Sequence, residues 1–370
     1  MKKAKHVRLI SALIMCAVLL QGRMPAASAV SDAGLDKNEI FGARDIEPAD
    51  MNLAAPLTLS DGQEVTIDSA GAWVLRGTAS DVTIHVDAGK DAEVTLFLDG
   101  VNITNRDTPC IYIEKAGKVI VTLASDSALS VRESFRKDSK TKANAAIYSC
   151  ADLTLNGDAA LTIDSPKNGI VCKDRLRICG GVYAINADSK AIAAENAIWI
   201  LDGSFRLNAG TDGLHAENED NDQEGSVYIG GGDFEIRADD DGIHGQTLLQ
   251  IDGGSLTVRA DEGLEGTCVL INGGELDIHA SGDGINAAHK SDAWRPRAEI
   301  NGGHVSITMR GDDTDAIDSN ADLIITGGVI ELFGSGIDYD GNLSFTGGTV
   351  SIDGREVSSI SNQSTHHLAS

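Results

Sequence analysis

The chain sets 56 acidic side chains against 30 basic ones in 370 residues, a net charge of −26 at neutral pH, with 42% apolar residues. A surface of that sign excludes nucleic-acid binding through basic patches, and the apolar share is enough for a core in a chain this long. The excess of acid points either to cation binding or to a solvated surface.

In chain order, residues 1–29 have the form of a secretory leader. Lys2, Lys3, Lys5 and Arg8 make a basic start, Leu9 to Leu20 an apolar core, and Ala27-Ser28-Ala29 a small-residue cleavage site. The apolar run is too short to cross a bilayer and no second one follows. Cys16 behind Met15 does not make a lipoprotein signal. The expectation is a secreted, extracellular protein with no membrane span. The leader holds five of the 30 bases and no acid, which leaves 25 bases against 56 acids, a mature charge of −31. Five cysteines remain, Cys110, Cys150, Cys172, Cys179 and Cys268, without a C-x-x-C pair. They are read as small buried apolar residues, with a Cys150–Cys172 bridge between neighbouring repeats as the other option.

Residues 30–56 are expected to form a poorly ordered N-terminal tail, and 57–146 the first coils and a cap. From 147 to 354 an apolar anchor recurs at Ile147, Ile170, Ile192, Leu214, Ile243, Leu264, Ile285, Ile317 and Ile337, spaced by 23, 22, 22, 29, 21, 21, 32 and 20 residues. Between anchors stands a glycine pair, at 180–181, 231–232, 253–254, 273–274, 302–303, 327–328 and 347–348. Apolar and polar residues alternate around it, as in Leu249 and Ile251 before the pair and Leu256 and Val258 after it. Period two over four to six residues means half-buried strands, and no amphipathic helix is legible.

A repeat of about 21 residues cannot bury its own apolar side chains, whereas stacked repeats can. The predicted fold is therefore all-β, a parallel β-helix (solenoid) with one repeat per coil. The small polar residue ahead of the glycine pair (Asn156, Asp252, Asn272, Asn301, Thr326 or Thr346) is expected to satisfy backbone groups at the turn. Repeats lengthened by seven and eleven residues predict loops at 217–224, which is acidic, and at 288–297, which gathers Lys290, Trp294, Arg295 and Arg297. Residues 355–370 are expected as a poorly ordered C-terminal tail.

Five repeats carry one motif at the anchor: Asp212-Gly-Leu-His215, Asp241-Gly-Ile-His244, Glu262-Gly-Leu-Glu265, Asp283-Gly-Ile-Asn286 and Asp315-Ala-Ile-Asp318. Equivalent residues of stacked coils lie about 4.8 Å apart. The motif thus builds two columns, one of Asp212, Asp241, Glu262, Asp283 and Asp315, the other of His215, His244, Glu265, Asn286 and Asp318. Carboxylates about 5 Å apart repel by roughly 3 kcal/mol at an effective dielectric near 20, so protons or cations have to be taken up. Calcium is the hard cation available outside a cell, and it accepts several carboxylate oxygens. Asp240, Asp261, Asp312, Asp313, Asp338 and Asp340 offer more of them. Solvated turn aspartates are the plainer alternative. Two stacked histidines with Glu265 could hold zinc instead, against the plainer reading of surface histidines at turns.

The stretches "GKVIVTLASDSALSV", "AAIYSCADLTLNG", "DDGIHGQTLLQIDGGSLTV", "GDGINAA" and "DAIDSNADLIITGG…GIDYDGNLSFTGGTV" resemble the bacterial calcium-binding, carbohydrate-binding domain proteins related to a clostridial pectin-binding protein. The likeness runs from about Leu57 to Gly354. It implies a right-handed parallel β-helix, bound calcium and affinity for polygalacturonate-like polysaccharide. The basic loop around Trp294 departs from the family pattern.

The resulting expectation is a secreted monomer that binds acidic cell-wall polysaccharide through calcium, without catalysis. Ligands to calcium are expected among Asp212, Asp240, Asp241, Asp261, Glu262, Glu265, Asp283, Asp313, Asp315, Asp318 and Asp338. Trp294 would stack on a sugar face, and Arg295 and Arg297, with Lys290 in the same group, would clamp a uronate carboxylate. Two alternatives stand. A calcium-dependent pectate lyase would draw its base from Lys290, Arg295, Arg297 or Arg310. Aspartates near 211–213 and 240–241 and the His244-Gly245 pair faintly echo polygalacturonase motifs, but the terminal Arg-Ile-Lys element is missing, and no serine or cysteine nucleophile motif occurs. A passive extracellular scaffold or adhesin is the third class.

Overall fold

The computed structural model of the protein describes residues 6–8, 34–136, 142–311 and 314–360. The leader expected over 1–29 lies outside the described residues except for 6–8, and so do Asp312, Asp313 and everything beyond 360. No helix among the described residues is long and apolar enough to cross a membrane.

Each repeat contributes three short strands, and each strand pairs in parallel with its counterpart one repeat on. The first ladder holds the anchors, Ile147 beside Ile170, then Ile192, Leu214, Ile243, Leu264, Ile285, Ile317 and Ile337. Leu176, Ile198, Val227 and Leu249 stack in the second ladder. Tyr183, Phe205, Phe234 and Leu256 stack in the third. The first ladder reaches back through Ile111 and Ile84 to Val65. The repeat therefore covers most of the region from 57 onward.

Alternation makes the core. Along Asp233–Ala238 the side chains of Phe234 and Ile236 are buried while Asp233 and Arg237 are exposed. The inward residues of all three ladders form one apolar cluster running from Leu57 to Val350. Each large side chain buried there contributes about 1.5–3 kcal/mol. Tyr183, Phe205 and Phe234 stack inside it, with ring centroids 5.0 and 4.5 Å apart.

Two kinds of glycine hold the coils close. Gly254, second of its pair, sits at φ +100°, and a Cβ there would lie 2.8 Å from the Gly232 carbonyl, so the corner demands glycine for conformation and for space. Gly242 of the Asp-Gly-Ile-His motif serves packing instead. A Cβ there would meet Val258 Cγ1 at 2.2 Å and the Gly263 carbonyl at 2.6 Å.

Four expectations are corrected. The corner residues bond one another rather than the turn backbone: Asn272 Nδ2 donates to Asp252 Oδ1 (2.7 Å), Asn301 Nδ2 to Asn272 Oδ1 (3.0 Å) and Thr326 Oγ1 to Asn301 Oδ1 (2.5 Å). The one-coil rise brings like positions into reach, and an amide can donate to one neighbour while accepting from the other. Residues 34–53, expected to be poorly ordered, lie against the outer face of the second ladder with one-turn helices at Lys37–Ile40 and Ala43–Ile46. That face carries buried polar groups which need partners. Asp45, 3% exposed, pairs with Lys118 and accepts from Thr154 Oγ1 (2.6 Å), while Arg177 Nε donates to the Ile40 carbonyl (2.9 Å).

At the other end Arg355–Val357 folds back antiparallel on Thr349–Ile352, and Val357 and Ile360 pack on the core. This part of the expected tail covers the open edge of the third ladder. Cys110, Cys150, Cys172 and Cys179 are free, and Cys110, Cys172 and Cys268 are buried. Register excludes the Cys150–Cys172 bridge: Cys172 lies opposite Ser149, which turns Cys150 to the other face of the strand.

Candidate functional site

Register assembles both columns. His215 lies beside His244, followed by Glu265, Asn286, Asp318 and Asp338. In the parallel column Asp241 pairs with Glu262, the Asp241 N–H points at Asp212 Oδ1 (3.4 Å) and the Asp315 N–H donates to Asp283 Oδ1 (3.0 Å). Both lengthened loops leave at the corner between the first and second ladders. They touch, since Ser291 Oγ donates to the Asp222 carbonyl (2.8 Å).

At the histidine end each ring turns Nδ1 to the acid three residues before it. His215 Nδ1 is 2.8 Å from Asp212 Oδ2, off the line of a good hydrogen bond. His244 Nδ1 is 3.1 Å from Asp241 Oδ2 and 2.6 Å from Glu265 Oε2. The rings stack with centroids 4.6 Å apart and planes 15° from parallel. Glu217 Oε2 lies 3.0 Å from His215 Nε2, whereas His244 Nε2 is buried without a partner. Lys190 reaches Asp212 (3.4 Å) and Lys290 reaches Glu265 (2.5 Å).

Desolvation opposes charge on His244, but its contacts with Asp241 and Glu265 prevail and raise it to about 9. Desolvation likewise pushes Glu265 up, yet His244 and Lys290 hold it at about 2. The hydrogen bond to His215 keeps Glu217 at about 2. This end offsets most of its own charge with Lys190, Lys290 and His244.

The other end does not. Asn286 Nδ2 donates to Glu262 Oε2 (2.8 Å) and faces Glu265 Oε1 (3.4 Å), which fixes the amide and turns Oδ1 the opposite way. That oxygen is buried and unpartnered. Asp318 follows in the next coil, and desolvation with repulsion from Asp283 and Asp338 pushes its carboxyl up to about 7. Desolvation, with Glu265 close by, pushes Glu262 up to about 8 against the pull of Asn286. Asp283 is raised by desolvation as well. Among the described residues no salt bridge reaches Asp283, Asp318 or Asp338.

The remaining expected residues are more scattered. Asp240 and Asp261 are exposed at the turn, with Asp261 accepting from Ser281 Oγ (2.8 Å), and Asp313 lies outside the described residues. Lys290 alone of the four loop residues contacts the column. Trp294 packs half-buried near Leu248, Cys268 and Leu270, Arg295 pairs with Asp322 (2.9 Å) and Arg297 with Glu299 (3.2 Å). Three contributors were not singled out as site residues in the sequence: Asn286, Lys190 and Glu217. Glu217 was legible as the residue two after His215, on the same face of the strand.

A family model described as "Carbohydrate-binding domain-containing protein" matches residues 61–268 and 260–367. The chain belongs to that family. A carbohydrate-binding domain-containing protein of Acetivibrio thermocellus is 41% identical over 130 residues, 34% of this chain and 46% of the relative. The chain thus spans under half the length of the relative it matches. A solved structure described as a polysaccharide lyase-like protein from C. thermocellum, a gadolinium derivative, aligns over 81% of this chain and 95% of its own, at 24% identity and a TM-score of 0.37.

Proposed function

We propose that the protein is a secreted, calcium-dependent binder of acidic, pectin-like polysaccharide that performs no chemistry, and that its three ladders wind as a right-handed parallel β-helix. The observation that carries the reading is the Asn286 amide oxygen, buried and unpartnered beside Glu262 and one coil from Asp318. A buried acceptor left unmade costs about 1–3 kcal/mol, and crowded carboxylates add their repulsion. Calcium answers both, since it takes oxygen ligands from flexible carboxylates and amide carbonyls. Glu262, Asp283, Asp318 and Asp338 with Asn286 Oδ1 are the residues that would hold it. Bound there, it would give anionic protein and anionic uronate polymer a positive centre to share. Family membership supports carbohydrate as the ligand.

The lyase alternative loses its best base. A general base has to be deprotonated, yet although burial draws the Lys290 ammonium down, Glu265 prevails and holds it above its ordinary range. The test is retention on immobilised polygalacturonate after removal of metal, with and without added calcium. Retention is expected with calcium alone and is expected to fall in Asn286→Ala and Asp318→Asn. Retention indifferent to chelation would refute the mechanism, and release of unsaturated uronides would restore the lyase.

A further inference from the structure

The histidine end has a different chemistry from the acid end and calls for a different ion. Both rings present Nδ1 to a carboxylate, so both Nε2 atoms face the same way. Ligand atoms of His215, Glu217 and His244 lie within 4.8 Å of one another, and so do those of Asp241, His244 and Glu265. In the second group the shared atom is His244 Nδ1, already taken up by the two carboxylates. That leaves Nε2 for the first group. His244 is 6% exposed, and its Nε2 has no hydrogen-bond partner. A buried, unpartnered ring nitrogen, on a ring stacked against a second imidazole and close to a carboxylate, is an unfinished coordination shell.

We propose that His215 Nε2, His244 Nε2 and the Glu217 carboxylate bind a zinc-class divalent transition-metal ion, with Asp212 holding one ring and Asp241 and Glu265 the other. The donor set decides the class. Two imidazoles and one carboxylate suit zinc, whereas calcium wants oxygens throughout. A carboxylate on the far nitrogen of each ligating ring is the arrangement that fixes the tautomer and raises the basicity of the metal-facing nitrogen. Tetrahedral ligands at about 2.0–2.1 Å from zinc stand roughly 3.3 Å apart. The 3.0 Å between Glu217 Oε2 and His215 Nε2 already matches, and His244, within 4.8 Å of both, would have to close by up to about 1.5 Å. Sequence reasoning placed Glu265 as the third ligand. Its contact with His244 Nδ1 makes it a support for the ring instead.

The test uses the full chain, freed of metal on a chelating resin and kept in excess calcium so that the acid end stays satisfied. Titration with Zn2+ by calorimetry, and with Co2+ by visible absorption, is expected to give one ion per chain with a tetrahedral cobalt spectrum. His215→Ala and His244→Ala should each weaken binding at least tenfold. Glu217→Gln, at a half-exposed position that cannot upset folding, should do the same, and Asp241→Asn should cost about 10–100-fold. His304→Ala, a surface histidine between Glu275 and Glu331, and Asp318→Asn should leave zinc affinity unchanged. Zinc binding that survives Glu217→Gln and His215→Ala, or that is lost in His304→Ala, would overturn the site, as would no binding at all. Loss of calcium-dependent retention with zinc binding intact would count against the proposed function alone.

Discussion

Replacing Asp318 by Asn should make the metal-free protein more stable, which is the reverse of what most substitutions at a half-buried site do. The Asp318 carboxyl moves from 3.8 to about 7, through desolvation first and then repulsion from Asp283 and Asp338. At 1.36 kcal/mol per unit the shift corresponds to about 4 kcal/mol. The group is only half-buried, and solvent screening reduces this to about 2 kcal/mol. A carboxyl raised in the folded state keeps a proton that the unfolded chain has already released. Stability in the absence of metal should therefore fall as pH rises from about 4 to about 7, and for Glu262, raised from 4.5 to about 8, the fall continues to about 8.

Asparagine mimics the protonated acid at every pH. Wild type and Asp318→Asn should melt together near pH 3.5, below the ordinary carboxyl value of 3.8, and separate at pH 8, where the variant gains about 4 °C at roughly 2 °C per kcal/mol for a chain of this size. Calcium should reverse the order, because a ligand of the folded state at a hundred times its dissociation constant adds about 2.7 kcal/mol, and the variant lacks one of the proposed ligands. Scanning calorimetry at the two pH values, with and without calcium, reads all four corners. A metal-free variant that melts below wild type at pH 8 would show that Asp318 is favourably engaged and that no cation is needed there.

Asp45→Ala should cost about 3 kcal/mol, since it takes the acid from partly buried Lys118 and leaves buried Arg177 with Asp152 alone; limited proteolysis should then cut within 34–53, and a variant as resistant as wild type would mean the strap is held by its apolar contacts. Asp45 is held below its ordinary value, with desolvation overcome by Lys118 and Thr154, so its contribution should be present above about pH 4 and fade as pH drops further. Gly242→Ala should cost about 1–3 kcal/mol through the clash with Val258, while Gly62→Ala, with open space around it, should cost about 1–2 kcal/mol through its positive φ alone; a thermal melt of Gly242→Ala that matches wild type would deny Gly242 its packing role.

The stacking was legible because strands that pair with their counterparts one repeat on write their register into sequence spacing. Nine anchors from Ile147 to Ile337 fall in one ladder, and once they do, the residue after each must form a column. What spacing does not encode is which face covers a polar residue. Thr154, Asn156 and Arg177 look like ordinary outward positions of a strand, and nothing local shows that Ile40 and Asp45, more than a hundred residues earlier, come back to cover them. The loop at 288–297 misled for a related reason. Its cations are conspicuous in an acidic chain, but Arg295 and Arg297 find acids of the protein itself in the second ladder, and Trp294 finds apolar cover. A basic cluster in sequence is a binding surface only if its charges stay unspent.

The same accounting explains why one motif yields two chemistries. Each of the five repeats from Asp212 to Asp318 offers an acid at the first position and a variable residue three later, and the spacing of paired strands forces neighbours to share whatever charge results. Where the variable residue is histidine, an inserted loop stands nearby. The first supplies Glu217 to His215, and the second supplies Lys290 to Glu265. Lys190, from the preceding coil, pairs with Asp212. The Asn286 amide can neutralise nothing, no salt bridge among the described residues reaches Asp318 one repeat on, and Asp283 and Asp338 add charge of the same sign. Insertions are tolerated at the corner between two ladders because they disturb no pairing, so they can tune one repeat without altering the next. At one end the column is largely offset by Lys190 and by its own loops. At the other, no salt bridge among the described residues reaches Asp283, Asp318 or Asp338, so the balance is left to protons or, on the function proposed above, to a cation from solution.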